Sequence, residues 1–408
     1  MPPANVISTF ELTKEEFQSL LAPCLGADVK VEDFKTRALT QPGENYGSTI
    51  LSAELNLKQG LRRYKLPLVV KLVPPSEYLC EIFDIEITFN KEVNAYKCVS
   101  PQYEQIQREK KVTSDNFLDI FPKFYGARTN QQGKLNEKAD HTAVLLLENL
   151  KLSGYHTGDR LKGLDLQHVK LVISQLARFH ATSVAIKLTK PIIFKETVLK
   201  ACESFVLDGI SNDDVAEKII KCNLDDVRRI DECVPYLNNI EAALLYLKNH
   251  LLLSYITTFG VNNMMFKYDQ YSVPICMKFV DFQTTIYSSP VRDLIFFLYS
   301  SADDNVIENH FDDMIVLYHQ EFIKCLSCLG CDTRVFSFEN FQEELNIFAP
   351  KEFAHILCMV KFITADKNKV PDLSNCDLDV IVQDNYGGEL YEKRVKLLIK
   401  DFLKKGWL

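Results

Sequence analysis

The sequence predicts an α+β chain of two lobes, a small β-rich one over residues 1–148 and a larger helical one over 149–408. Three observations carry this reading. Up to residue 148 the apolar runs are short and strand-like, and after Gly163 apolar residues recur at three- and four-residue spacing. At 408 residues the chain also exceeds a single small core, given about 100 to 200 residues per domain.

In the first lobe, residues 49–57, 66–73 and 141–147 read as strands, and 84–98 reads as one helix beside them. The second lobe opens with a helix over 165–183, which places Leu166, Val169, Val172, Ile173, Leu176, Ala177 and His180 on one face. Further helices are expected over 194–208, 212–221, 224–249, 291–301, 306–329, 338–348, 351–365 and 387–404. One strand pair interrupts them, 261–269 and 275–283, joined by a polar turn that ends at Pro274. A hairpin inside a helical half is a place to look for chemistry.

Composition narrows the function classes. With 47% hydrophobic, 25% charged and 11% aromatic residues the chain is an ordinary globular protein, not a disordered or low-complexity one. A net charge of -8 gives no overall attraction for nucleic acid or anionic lipid. The start, MPPANVISTFELTKEEF, has no basic segment followed by an apolar core, and no stretch is long and apolar enough to span a membrane. The 12 scattered cysteines read as reduced thiols, so the expectation is a soluble, cytoplasmic protein, and separately a monomer.

Four features stand in the order that phosphoryl transfer from ATP would need. Gly43-Glu44-Asn45-Tyr46-Gly47-Ser48 leads into a strand, and its glycines let backbone N–H groups approach phosphate oxygens; a plain turn has the same composition. Lys71 in LVVKLV puts an ammonium inside an apolar strand, where burial is costly without an anion. Glu92 in FNKEVNAY can be that anion from a neighbouring helix, or it can be a solvated helix charge. The strand AVLLLENL ends at Glu148 and Asn149 between the two textures, where backbone groups can meet an adenine edge or simply cross between lobes. Last, Asn263 and Asp281 on the hairpin offer hard oxygen donors suited to Mg²⁺.

GENYGS, LVVKLV, FNKEVNAY, LLLENL, LARFHATS, VNNMMFKYD, FVDFQ and SSPVRDLIFFLYSS occur in this order, and with them the chain resembles the insect ecdysteroid kinase-like family. Members are relatives of choline and aminoglycoside kinases on the two-lobed protein-kinase-like fold, and the resemblance spans about residues 30 to 400. It implies an ATP- and Mg²⁺-dependent kinase that phosphorylates a hydroxyl on a small alcohol such as a steroid. Gly43, Asn45, Gly47, Ser48, Lys71, Glu92 and Glu148 would take nucleotide roles, and Asn263 and Asp281 the metal.

The chain departs from that family at one place. Members usually carry His-Gly-Asp ahead of the VNNMMF segment, whereas this chain has Ile256-Thr257-Thr258, with Thr258 at the aspartate position. A threonine hydroxyl takes no proton near neutral pH, and a positioned base contributes about 10²- to 10⁴-fold, roughly 3 to 5 kcal/mol. Two explanations fit: a pseudokinase that binds nucleotide, ligand or partner, or a wrongly joined exon that supplies residues 251–260. The abrupt return of the motif at Val261 slightly favours the second.

Rival sites are expected to be structural. Cys325, Cys328 and Cys331 lack a fourth ligand at diagnostic spacing, and the first two fall on one helix face. His180 reads as a hydrogen-bonded core histidine and Asp293 as a helix-start carboxylate. The lysines and arginine of the last helix, from Lys393 to Lys405, read as a solvated face opposite Val395, Leu398 and Phe402.

Overall fold

The computed structural model describes residues 12–39, 47–132, 138–203, 212–254, 260–365 and 388–408, which form two lobes. Helix α1 (Lys14–Leu25) begins at a capping box: the Thr13 hydroxyl accepts from the Glu16 N–H, and the Glu16 carboxylate accepts from the Thr13 N–H. Strands β1 (Val29–Ala38), β2 (Thr49–Gln59), β3 (Arg62–Leu72), β4 (Phe124–Arg128) and β5 (Val144–Glu148) make an antiparallel sheet in the order β1-β2-β3-β5-β4. Between β3 and β4 run α2 (Glu77–Ile82) and α3 (Ile85–Asn94), the latter continuing through a π turn into α4 (Ser100–Glu109).

Register decides what each sheet face does. Ile50 opposes Lys71, Ser52 opposes Val69, and Val69 opposes Leu147, so these side chains share one face. The alternate residues, among them Leu55, Leu68, Val70 and Leu146, turn the other way and pack on Phe17 and Leu21 of α1. Gly126 of β4 lets α1 come close, since a Cβ there would stand 2.1 Å from the Leu20 carbonyl oxygen.

The second lobe contains β6 (His156–Thr157), α5 (Leu166–Thr189), helical turns over 191–201, α6 (Asn212–Arg228), α7 (Leu237–Ser254), β7 (Met264–Tyr268) and β8 (Pro274–Phe279). It closes with α8 (Pro290–Ser301), α9 (Asp304–Cys328), α10 (Phe338–Thr364) and α11 (Gly388–Lys405). Strands β6, β7 and β8 form a second sheet of three. No helix among the described residues is long and apolar enough to cross a membrane.

Several boundaries differ from expectation. The helix expected over 84–98 extends through the π turn to Glu109, β1 and β4 join the three expected strands to complete the sheet, and α1 is a further helix packed on it. The helices expected over 212–221 and 224–249 divide elsewhere: α6 runs unbroken to Arg228, the extended Ile230 ends it, and Pro235, which lacks an N–H, lies in the 3₁₀ turn (Asp231–Tyr236) that leads into α7. The break expected near Pro350 is absent. Leu345, Ala349, Phe353 and Leu357 form a buried stripe at four-residue spacing, and that packing outweighs the roughly 3 kcal/mol an interior proline costs. The helix expected over 194–208 is present only as turns to Ala201, and 204–211 lie outside the described residues.

Candidate functional site

Lys71 sits near the end of β3 on the cleft face, 4% exposed. A buried ammonium needs anions, and two converge on it. Glu92 Oε2 from α3 lies 2.6 Å from Lys71 Nζ, and Asp281 Oδ1 from the segment after β8 lies at 3.0 Å. Three elements, distant in sequence, thus meet at one cation. Glu92 is sealed, but the Asp281 side chain is 34% exposed and lines a cleft of about 240 Å³.

The backbone holds Asp281 for that task. Its φ of 66° is left-handed, a conformation aspartate tolerates better than most residues and one that costs on the order of 1 to 3 kcal/mol. Two contacts over-determine it: the Val280 N–H donates to the Asn263 carbonyl at 2.9 Å, and the Phe282 ring stacks on Phe121 at 5.0 Å. The first of these also brings Asn263, at the end of a 3₁₀ turn (Val261–Asn263), beside Asp281 at the cleft wall.

Charge follows geometry. Burial opposes the Lys71 ammonium, but Asp281 and Glu92 together outweigh it and hold the pKa above the usual lysine value. Burial raises the Glu92 carboxyl to about 7, against the pull of Lys71, and the negative charge of Asp281 adds to the rise. One cation therefore faces two acids, and the acid that opens to the cleft is Asp281. No cluster of three or more His, Cys, Asp or Glu among the described residues could hold a metal alone. An Asn–Asp pair of hard oxygen donors suits Mg²⁺, which commonly takes one or two carboxylates and completes its shell with phosphate oxygens and water.

The rest of the cleft is graded. Away from Lys71 its walls carry an apolar patch, Ile50, Val69 and Leu147 from the first lobe and Met265 and Val280 from the second, and beyond it the polar groups of Glu148, Asn149 and Lys151. Glu148 lies at the junction of the lobes, but its carboxylate is occupied locally, accepting from Ser153 Oγ at 2.6 Å and from the Lys123 N–H at 3.3 Å. What it can offer a ligand is its place in the backbone.

Of the glycine-rich segment, Gly43 and Asn45 lie outside the described residues, as do Ile256, Thr257 and Thr258. Its end is described: Gly47 and Ser48 are buried, and the Gly47 carbonyl accepts from Gln283 Nε2 at 3.4 Å. A Cβ at Gly47 would stand 3.0 Å from Gln283 Oε1. Sequence reasoning did not single out Gln283 as a partner of this loop. The contact bridges 236 positions, and no local pattern announces it. The apolar slot was readable in principle, since period-two alternation assigns Ile50, Val69 and Leu147 to one face.

The rival residues have other partners. His180 bridges Tyr318 Oη at 2.7 Å and Asp293 Oδ2 at 3.1 Å. Cys325 packs against Thr182 and the Arg178 carbonyl, and burial pushes its thiol up to about 11. On α11, Arg394 pairs with Asp304 at 3.2 Å, Lys396 with Glu232 at 2.9 Å and Lys405 with Asp312 at 3.3 Å, while Val395, Leu398 and Phe402 are buried.

A search among curated proteins returns no match. A model of the ecdysteroid kinase-like family matches residues 42–331, and the chain belongs to that family.

Proposed function

We propose that the cleft binds Mg-ATP and serves transfer of the γ-phosphoryl group to the hydroxyl of a small alcohol, a steroid being one candidate. Membership of a kinase-like family supports a small-molecule phosphotransferase. The observation that carries the reading is the Lys71 ammonium held between Glu92 at 2.6 Å and Asp281 at 3.0 Å in an open cleft.

In this reading Lys71 binds and orients the phosphates, and Glu92 fixes Lys71. Ile50, Val69, Leu147, Met265 and Val280 exclude water around the base, and the backbone after Glu148 faces its edge. The described end of the glycine-rich segment, Gly47 and Ser48, tied to the Asp281 segment through Gln283, would sit at the phosphates. Mg²⁺, held by Asn263 and Asp281, would neutralise phosphate charge. The acceptor proton has no carboxylate to take it at Thr258, so transfer is slow or absent.

Melting the full chain with Mg-ATP tests the nucleotide step. At a hundredfold excess over Kd, stabilisation of about 2.7 kcal/mol is expected, and Lys71→Met should abolish it. A wild-type melting curve that Mg-ATP does not move overturns the reading. A second reading, a binding module without catalysis, rests on the Thr258 substitution. Ile256→His with Thr258→Asp separates the two: phosphorylation of an ecdysteroid or other alcohol by that variant marks an impaired enzyme, and intact ATP binding without phosphorylation marks a module. Sequencing the transcript across codons 245–265 shows whether Thr258 is genuine, and an abundant messenger encoding it excludes the exon artefact.

A further inference from the structure

The two ends of the cleft can be told apart from strand register. Lys71 marks the phosphate end, and one step of two residues back along β3, about 7 Å, lies the row Ser52–Val69–Leu147. Beyond that row the chain leaves β5 through Asn149, which also lines the cleft. Asn149 is 3% exposed, and its Nδ2 donates to Ser52 Oγ at 3.2 Å. Its Oδ1 is buried and accepts a hydrogen bond from no described residue. A buried carboxamide oxygen without a protein donor is rare, and a ligand that brings the donor is one reason for it to persist.

Three neighbouring acceptors at this end already have donors. The Asn149 carbonyl takes the Leu152 N–H at 3.1 Å, the Leu150 carbonyl takes the Tyr155 N–H at 3.0 Å, and the Glu148 carboxylate takes Ser153 Oγ at 2.6 Å. The apolar residues of the wall, Val69, Leu147 and Met265 among them, offer no hydrogen bond with which to tell one base from another. We infer that Asn149 is a specificity-determining residue whose Oδ1 accepts a hydrogen bond from an exocyclic amine on the bound base, so that the cleft selects a 6-aminopurine nucleotide over a 6-oxopurine one. The inference rests on the nucleotide reading above. A change in the Asn149 side-chain torsions on binding carries the oxygen to the base. A 6-oxo group would set a second acceptor against it, leaving both unpaired.

The test compares Mg-ATP with Mg-ITP, which carries a carbonyl in place of the 6-amino group, by calorimetric titration of the full chain. The wild type should bind Mg-ATP about tenfold more tightly than Mg-ITP. Asn149→Leu should bring the two within about twofold of each other, and Asn149→Asp, which keeps an acceptor oxygen, should preserve the preference. If the leucine variant does not fold, Asn149→Ala reads the same ratio. A leucine or alanine variant that keeps the wild-type ratio, or a wild type that binds both nucleotides equally, overturns the role of Asn149 and leaves the nucleotide site standing. A wild type that binds neither overturns both.

Discussion

Two buried ionic clusters in this molecule are built alike and balanced differently. In the helical lobe, Arg292 of α8 pairs with Glu352 of α10, and Glu352 Oε2 also takes His355 Nδ1 at 3.0 Å, while Phe296 stacks on the His355 ring at 4.4 Å. That cluster has one guanidinium for one carboxylate, and Glu352 is fully buried. At the cleft, one ammonium faces two carboxylates, and Asp281 keeps a third of its side chain open. A sealed, matched cluster fastens helices together. An open one, whose exposed Asp281 carboxylate already shares Lys71 with Glu92, has capacity left for a cation that arrives with its own ligands, and that difference is the ground for reading one cluster as a brace and the other as a site.

The sharpest way to break the comparison is to remove one partner of the sealed cluster. Glu352→Ala leaves Arg292 buried without its carboxylate, and such losses cost about 3 to 5 kcal/mol. Urea denaturation should show that loss, whereas Mg-ATP should still stabilise whatever fraction remains folded. A variant as stable as the wild type would mean that the helical-lobe cluster is no brace.

The open cluster should instead reveal itself through pH. With the Glu92 carboxyl raised from the ordinary 4.5 to about 7, the folded chain binds a proton more tightly than the unfolded chain does. Its contribution to stability is therefore fully present below about 4.5 and is lost as pH rises through about 7, by up to roughly 3 kcal/mol. Glu92→Gln, which cannot ionise, should flatten this part of the profile. Denaturation midpoints measured between these limits on both proteins decide it, and identical slopes would remove Glu92 from the account.

The sequence made the open cluster legible because its signals are local. An ammonium inside LVVKLV cannot stay buried alone, so Lys71 demands an anion and Glu92 stands in a helix that can supply it, whereas Asp281 reads as a metal ligand and its ion pair with Lys71 appears only in the structure. The long helices were legible for a similar reason, since a 3.6-residue period over five or more turns has no other reading. What escaped depends on contacts between distant segments. Whether Pro350 breaks a helix is settled by the core that Leu345 and Phe353 enter, and Pro235 by the turn between α6 and α7. The pairing of Asn149 with Ser52, 97 positions apart, leaves no trace in either segment.

The smallest effect tests how the glycine-rich loop is tied to the charged cluster. Gly47 and Gln283 are the described contact between that loop and the Asp281 segment, and a methyl at 47 would press on Gln283 Oε1 from 3.0 Å. Gln283 is 5% exposed, so its side chain can yield by only a few tenths of an ångström before the Nε2 bond to the Gly47 carbonyl, already 3.4 Å long, is lost. One neutral hydrogen bond is worth about 1 kcal/mol, so Gly47→Ala should leave the fold intact and lower its stability by no more than that. The larger consequence falls on the ligand, because the loop end and the Asp281 segment would no longer be held in one arrangement. A Kd for Mg-ATP raised about threefold to fivefold, with melting temperature nearly unchanged, is the expected result. An unchanged Kd would show that the tie is packing alone, and that Lys71, Glu92 and Asp281 set the phosphate end without help from the loop.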